Sequence, residues 1–215
     1  LGSTIAFRGI PYAAPPVGTL RWRAPQPPQP WPGVRQATTF GNRCPQFTGG
    51  SGGIVDAGQT DVVAGNEDCL TLNIWAPKDT APPLRPVMVF IHGGGNIQGS
   101  SSQSTYDGKA LSEKGGVVVV TINYRLGQLG YLAHPLLSAE DTEHQSSGNY
   151  GLLDQMFALQ WVQRNIRNFG GDPNIITIFG ESAGGTNVSC LVASPVARGL
   201  FHRAIVESGG HIIIT

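Results

Sequence analysis

One short turn, residues 180–184 with the sequence GESAG, constrains this chain more than any other stretch. It follows an apolar, β-branched run at 175–179 that favours a buried strand, and it precedes a run of small residues that favours a helix. A strand, a sharp turn and a helix are the setting in which a G-x-S-x-G sequence presents a serine hydroxyl as a nucleophile. Because the backbone folds back closely, glycine is needed two positions before and two positions after the serine. The pattern predicts Ser182 as a catalytic nucleophile.

A five-residue match is weak evidence in a chain with 30 glycines among 215 residues, so the rest of the sequence must support it. Apolar runs at 87–91 and 117–122 predict further buried strands, and 204–207 predicts one more strand. An alternating stretch at 70–75 predicts a half-exposed strand, and 136–147 is predicted to be a polar loop. Helical spacing covers 149–168, and 107–114 predicts a short helix. Buried strands that alternate with helices predict an α/β domain with a mostly parallel central sheet flanked by helices.

Composition excludes several functional classes. Lys plus Arg and Asp plus Glu number 14 each and no basic run exceeds two residues, so the sequence gives no electrostatic signal of binding to nucleic acid or an anionic membrane. No apolar run approaches the roughly 20 residues of a membrane span. No Cys and His grouping has the spacing of metal ligands, so we expect no metal and no cofactor.

A second motif, residues 92–95 with the sequence HGGG, directly follows the apolar run at 87–91. Consecutive glycines allow bare backbone N–H groups to point toward one place, as in the oxyanion loop of esterases. Acyl transfer needs such donors, and the N–H of Ala183 at the start of the next helix is another. A nucleotide cradle is excluded because Gln98 stands where G-x-G-x-x-G requires glycine. The alternative is a plain turn between a strand and a loop.

Two of the three cysteines, Cys44 and Cys69, flank a Gly-, Ser- and Asp-rich stretch that predicts a surface loop. A disulfide across it would stabilise the fold by roughly 3 kcal/mol and would indicate an oxidising compartment, hence a secreted or periplasmic protein. Two unrelated thiols are the alternative. Cys190 is interpreted as a small buried side chain, and the sequon at Asn187 as buried in a helix.

These motifs, taken together, resemble the type-B carboxylesterases, an α/β-hydrolase family that includes cholinesterases and bacterial esterases. Residues 169–184 look like the serine signature of that family, and residues 67–77 are similar to its second signature. Further matching stretches are 7–13, 148–155 and 207–209. The resemblance covers nearly the whole chain and implies an α/β-hydrolase fold.

The resemblance also implies roles for individual residues. Ser182 would form an acyl-enzyme with a small ester substrate, while Gly94, Gly95 and Ala183 would donate to the oxyanion. Cys44 would pair with Cys69. From the residues themselves, His92 is expected to fix the shape of the glycine loop, and Glu181 is expected either to be a buried group that lines the site or to have a structural role.

The chain departs from the family pattern in two ways. Asn96 stands where the family usually has an aromatic residue, so it could reshape the acyl pocket or add a polar contact there. Family members are also much longer, and their triad acid and histidine follow the region that matches here. The expectation is therefore that residues 1–215 are the N-terminal part of one α/β-hydrolase domain, completed by a second polypeptide or missing segment.

Two alternatives to this hypothesis stay open on the sequence. A complete triad of Ser182, Glu207 and His211 has the right chain order, although only three residues separate the acid from the histidine. A catalytically inactive binding or adhesion protein on the same fold is the other function class. A choline ester is disfavoured as substrate, since Phe47 is the only aromatic residue between Cys44 and Cys69.

Overall fold

The computed structural model describes residues 4–48, 62–79, 83–142 and 144–210. In these ranges the chain forms strands and α-helices that alternate through most of its length. The strands are β1 (Thr4–Pro11), β2 (Gln46–Thr48), β3 (Val62–Ala64), β4 (Thr71–Pro77), β5 (Arg85–Ile91), β6 (Val118–Ile122), β7 (Gly171–Glu181) and β8 (Arg203–Glu207). The α-helices are α1 (Lys109–Gly115), α2 (Gly127–Tyr131), α3 (Pro135–Glu140), α4 (Tyr150–Asn165) and α5 (Ala183–Ala193).

Six of the strands form one sheet in the order β1-β4-β6-β5-β7-β8. The four strands from β6 to β8 pair in parallel, whereas β1 and β4 add an antiparallel edge. β5 lies between β6 and β7, so its continuous apolar sequence is buried by neighbours and by helices. This arrangement confirms the predicted α/β class with a mostly parallel sheet.

The carboxyl ends of two neighbouring strands determine where the candidate site lies. The parallel strands β5 and β7 pair in register from Val87 with Ile176 to Ile91 with Gly180. Their carboxyl ends therefore lie side by side, and the HGGG and GESAG stretches both leave the sheet at this edge. In open α/β sheets this edge is where ligands bind.

Two local predictions were wrong. β4 was expected to be half exposed, but Thr71 to Ala76 are all buried, because β4 lies inside the sheet between β1 and β6. Its polar positions are satisfied internally, as Asn73 donates to Thr121 Oγ1 at 3.1 Å and accepts from the backbone N–H of Gly9 at 3.0 Å. The stretch 136–147 was expected to be loop, but α3 occupies its beginning, with proline at its first position and His134 as its N-cap.

The Cys44–Cys69 disulfide is present, with the two residues 25 positions apart in the chain. This confirms the predicted pairing over the alternative of two separate thiols. A closed loop of this length stabilises the folded chain by about 3 kcal/mol, because it restricts the unfolded chain. Inside the loop β2 and β3 pair as a short antiparallel hairpin, and residues 49–61 lie outside the described residues.

Candidate active site

Ser182 lies at the junction of β7 and α5, in a backbone conformation with φ 57° and ψ −123°. This conformation is rare for a residue with a side chain and is sustained only by its surroundings. The Ser182 N–H donates to the Glu207 carbonyl of β8 at 2.9 Å, which ties the turn to the sheet. The chain therefore turns sharply at Ser182, between the strand and the helix.

The glycines on both sides of Ser182 are required by close backbone contacts. A Cβ on Gly180 would lie 2.5 Å from the carbonyl carbon of Gly184. A Cβ on Gly184 would lie 2.0 Å from the carbonyl oxygen of Ile91 in β5. Since real Cβ atoms do not approach other atoms this closely, only glycine lets α5 start against the end of β5.

The glycine loop, residues 93–95, leaves the end of β5 in a tight left-handed turn. Gly94 has φ 103° and Gly95 has φ 63°, both in the region that favours glycine. The Gly94 carbonyl accepts from the N–H groups of Ile97 and Gln98 at 3.1 and 3.0 Å. The turn therefore uses the Gly94 carbonyl internally, while the N–H groups of Gly94 and Gly95 donate to no described acceptor.

The glycine loop lies directly beside the serine. A Cβ built on Gly93 would be 3.2 Å from the Ser182 Cβ and 2.7 Å from the Glu181 carbonyl oxygen. Among the described residues, the backbone N–H groups of Gly94, Gly95 and Ala183 donate to no acceptor. Unpaired N–H groups are therefore present on the loop next to the serine and at the start of its helix.

His92 occupies the base of the glycine loop and is buried. Its Nδ1 is 2.8 Å from the Gly93 carbonyl oxygen, and its ring stacks on Tyr124 with centroids 4.5 Å apart. Burial lowers the pKa of His92 to about 4, so the ring is neutral near pH 7, with Nδ1 as the donor to Gly93. These contacts are those of a residue that fixes the shape of the loop.

The depressed pKa of His92 predicts a loss of stability in acid. Above about pH 6.5 the ring is neutral in both states, whereas between pH 6.5 and about 4 only the unfolded chain binds the proton. The free energy of unfolding is therefore expected to fall by about 3 kcal/mol from pH 7 to pH 4 on account of this residue. Urea unfolding at a series of pH values measures it. His92→Asn provides the control, and equal slopes for the two proteins would contradict the prediction.

A polar cluster that the motifs did not reveal connects the loop to its surroundings. The Tyr124 hydroxyl donates to the His92 carbonyl at 2.7 Å, and its oxygen lies 3.3 Å from Asn96 Oδ1. Asn187 of α5 donates to Asn96 Oδ1 at 2.9 Å. Asn187 is buried, as predicted for the sequon that contains it, and Asn96 makes polar contacts in place of an aromatic packing surface. No signal in the sequence pairs residues so far apart.

Glu181 was expected either to be a buried group that lines the site or to have a structural role, and the first expectation does not hold. Its side chain is exposed among the described residues, so the prediction of a buried group was wrong. β7 ends here, and the side chain alternates away from the interior. Its carboxylate still lies near the loop, since Oε2 is 3.2 Å from a Cβ built on Gly93.

The other predicted acid and base residues are not brought to Ser182 by a hydrogen bond. In the described ranges the Ser182 hydroxyl bonds to no histidine or carboxylate, and His211 of the alternative triad lies outside these ranges. His134 caps α3, and His202 Nδ1 accepts from the backbone N–H of Ile176.

No described group of His, Cys, Asp and Glu side chains is arranged to hold a metal ion. None of the described helices has the length and apolar character needed to cross a membrane.

Two clefts lie next to the glycine loop and share Ile97, Gly127 and Gln128 in their walls. One has a volume of about 370 Å³ and extends toward the disulfide loop, where Phe47 and Val63 line it. The other has a volume of about 540 Å³ and includes Gly95 and Asn96. A small molecule bound next to the glycine loop could therefore extend into either cleft.

Comparison with known proteins identifies relatives for nearly the whole chain. A family model described as "Carboxylesterase family" matches residues 2–213. Fumonisin B1 esterase of Sphingopyxis macrogoltabida is 50% identical over 209 residues, which are 97% of this chain and 37% of the relative. Para-nitrobenzyl esterase of Bacillus subtilis is 47% identical over 209 residues, covering 97% of this chain and 41% of the relative.

Solved structures agree with the sequence relatives. The structure titled "PNB esterase" superposes with a TM-score of 0.83 at 45% identity, over 98% of this chain and 41% of that chain. The carboxylesterase EST55 of Geobacillus stearothermophilus has a TM-score of 0.81 at 46% identity, covering 94% of this chain and 39% of its own. The chain thus spans about two fifths of the length of these proteins.

Proposed function

Because this chain belongs to the carboxylesterase family and has its α/β-hydrolase fold, we propose that the protein hydrolyses carboxylic esters through an acyl-enzyme on Ser182. The observation that carries the proposal is the contact between the glycine loop and the serine turn, with a Cβ on Gly93 only 3.2 Å from the Ser182 Cβ. A nucleophile and unpaired backbone donors are thereby held at one edge of the sheet.

In the proposed mechanism the Ser182 oxygen attacks the ester carbonyl carbon, and the carbonyl oxygen becomes negatively charged. The N–H groups of Gly94, Gly95 and Ala183 stabilise this oxyanion, and the positive end of the α5 dipole adds to their effect. The alcohol then leaves, and water hydrolyses the acyl-enzyme to release the acid. In this mechanism His92 remains a neutral structural residue at the base of the loop.

A general base and its acid are also needed, and we propose that a segment outside these 215 residues supplies them. The absence of a described hydrogen bond from the Ser182 hydroxyl to a histidine or carboxylate supports this. β8 supports it as well, because in the part of the chain that the structure describes it pairs with β7 on one side only, and every residue in β8 is exposed. A further strand, from a later segment or a second polypeptide, would pair there and bring the histidine to Ser182.

The proposed substrate is a neutral ester with an apolar group. The cleft of about 370 Å³ is lined by the apolar residues Phe47, Val63, Ile97, Leu126 and Leu129, and its described lining includes no charged side chain. A quaternary ammonium group would find only Phe47 as an aromatic partner there. The Cys44–Cys69 bond further supports a secreted or periplasmic protein, because disulfides persist in oxidising compartments.

A serine-directed fluorophosphonate tests the proposal on the full-length protein. We expect one covalent label on the peptide that contains Ser182. The rate of labelling should equal the rate at which the protein loses its activity toward a short-chain aryl ester. Because phosphonates react with activated serines and not with ordinary ones, no label on Ser182 would refute the esterase mechanism.

A further inference from the structure

The side chains of Asn96 and Asn187 form a reciprocal amide pair between the glycine loop and α5. Asn187 Nδ2 donates to Asn96 Oδ1 at 2.9 Å, and Asn96 Nδ2 donates to Asn187 Oδ1 at 3.3 Å. Each amide therefore acts as both donor and acceptor toward the other. Asn96 directly follows the three glycines, and Asn187 is five residues beyond Ser182 on the helix that the serine begins.

The backbone of Asn96 is fixed at the same time as its side chain. Its φ of 59° is left-handed, a conformation that asparagine adopts more readily than most residues. Its carbonyl accepts from the N–H of Gly127 at 2.6 Å, at the start of α2. Movement of residue 96 would thus break bonds to two helices.

The loop between His92 and Asn96 depends on these end contacts. Gly93, Gly94 and Gly95 have no side chains with which to pack, so the loop is held by hydrogen bonds to its backbone carbonyls and by the contacts at its ends. The Tyr124 hydroxyl contacts both ends, since it donates to the His92 carbonyl and its oxygen lies 3.3 Å from Asn96 Oδ1. Of the residues that hold Asn96, only Asn187 belongs to the helix that begins at Ser182.

We propose that Asn96 and Asn187 are positioning residues, whose amide pair sets the distance between the oxyanion donors of the glycine loop and Ser182. This inference rests on the proposed esterase function. Since α5 carries both the nucleophile turn and Asn187, the pair makes the loop and the nucleophile one rigid unit. Small displacements of catalytic groups reduce rates strongly, and the oxyanion exists only during the reaction. Loss of the pair therefore lowers kcat rather than substrate binding.

A double-mutant cycle in the full-length protein tests this inference. Asn96→Gly removes the side-chain amide of residue 96, and glycine tolerates the positive φ there. Asn187→Ala removes the amide on α5, and alanine has a high helix propensity. Each variant is expected to lower kcat about tenfold, with KM within about twofold of the wild type. The double variant is expected to be no slower than the slower single variant, because the pair is lost only once. Active sites are counted by phosphonate titration, so kcat refers to folded, reactive protein.

Ser189→Ala is the matched control, since Ser189 lies on the same helix and, among the described residues, its hydroxyl bonds to the Gly185 carbonyl and not to the glycine loop. Its kcat should equal that of the wild type. Single variants with unchanged kcat, losses that multiply in the double variant, or an effect on KM alone would each overturn the inference. If Asn187→Ala does not fold, Asn187→Ser replaces it in the cycle. A wild type that phosphonate does not label refutes the esterase function itself, whereas labelled, active wild type with unaffected variants refutes only the positioning role.

Discussion

Replacement of Ser182 by alanine is expected to abolish ester hydrolysis by the full-length protein, with a loss in kcat of roughly 10⁴- to 10⁶-fold. Without the hydroxyl no acyl-enzyme forms, although the glycine loop and the substrate clefts remain. The folded structure should survive, because alanine has the same backbone requirements as serine at φ 57°. Steady-state hydrolysis of an aryl ester gives the rate, and thermal unfolding gives the stability.

Ser189→Ala serves as the control here too, because it removes a hydroxyl from the same helix at a place away from the glycine loop. It should retain full activity and full phosphonate labelling. A Ser182→Ala protein that keeps more than about one hundredth of wild-type activity would be incompatible with the mechanism, since the oxyanion donors alone cannot supply the missing nucleophile.

Replacement of Asp154 by asparagine is expected to destabilise the fold by about 3–5 kcal/mol. The two carboxylate oxygens accept from the Arg125 side chain at 2.8 and 2.7 Å and from its backbone N–H at 3.0 Å, with both side chains buried. Burial by itself lowers the pKa of Arg125, but the charge and hydrogen bonds of Asp154 raise it overall. The neutral amide would leave a buried guanidinium without its counterion. Thermal unfolding should show the variant melting at a lower temperature than the wild type.

The exposed pair of Arg23 and Glu140 provides a matched control, with side chains 45% and 54% exposed. Glu140→Gln should cost less than about 1 kcal/mol, because water screens a surface pair. Replacing both buried partners, as Arg125→Met with Asp154→Leu, should recover much of the loss, since no charge is then left unpaired. Equal effects of Asp154→Asn and Glu140→Gln would contradict the assignment.

The parts of the fold that sequence reasoning identified correctly are those with local signals. Most of the sequence of β5 and β6 is apolar, and α4 has apolar residues at helical spacing. The burial of β4 was missed because Asn73 suggests an exposed face, whereas its partners Gly9 and Thr121 are distant in the chain. α3 was missed because it has only six residues and no apolar stripe that marks it.

In the candidate site, too, local motifs were identified from the sequence and long-range contacts were not. The positions of Ser182 and the glycine loop were predicted because each is a short motif with its own backbone geometry. Tyr124 and Asn187 were not predicted to contact the loop, since they belong to other strands and helices and meet Asn96 only when the sheet has formed. The exposure of Glu181 depends on the final direction of one side chain at a strand end, which alternation alone does not decide.

The strand order has a consequence for synthesis on the ribosome. β5 takes β6 as its first neighbour, but its other neighbour, β7, ends 59 residues after β6 does, at residue 181 rather than 122. At about 5–20 residues per second, translation needs roughly 3–12 s to supply that strand. During this interval β5, a strand from the interior of the sheet, has one open edge in the nascent chain, which is the kind of surface that chaperones bind.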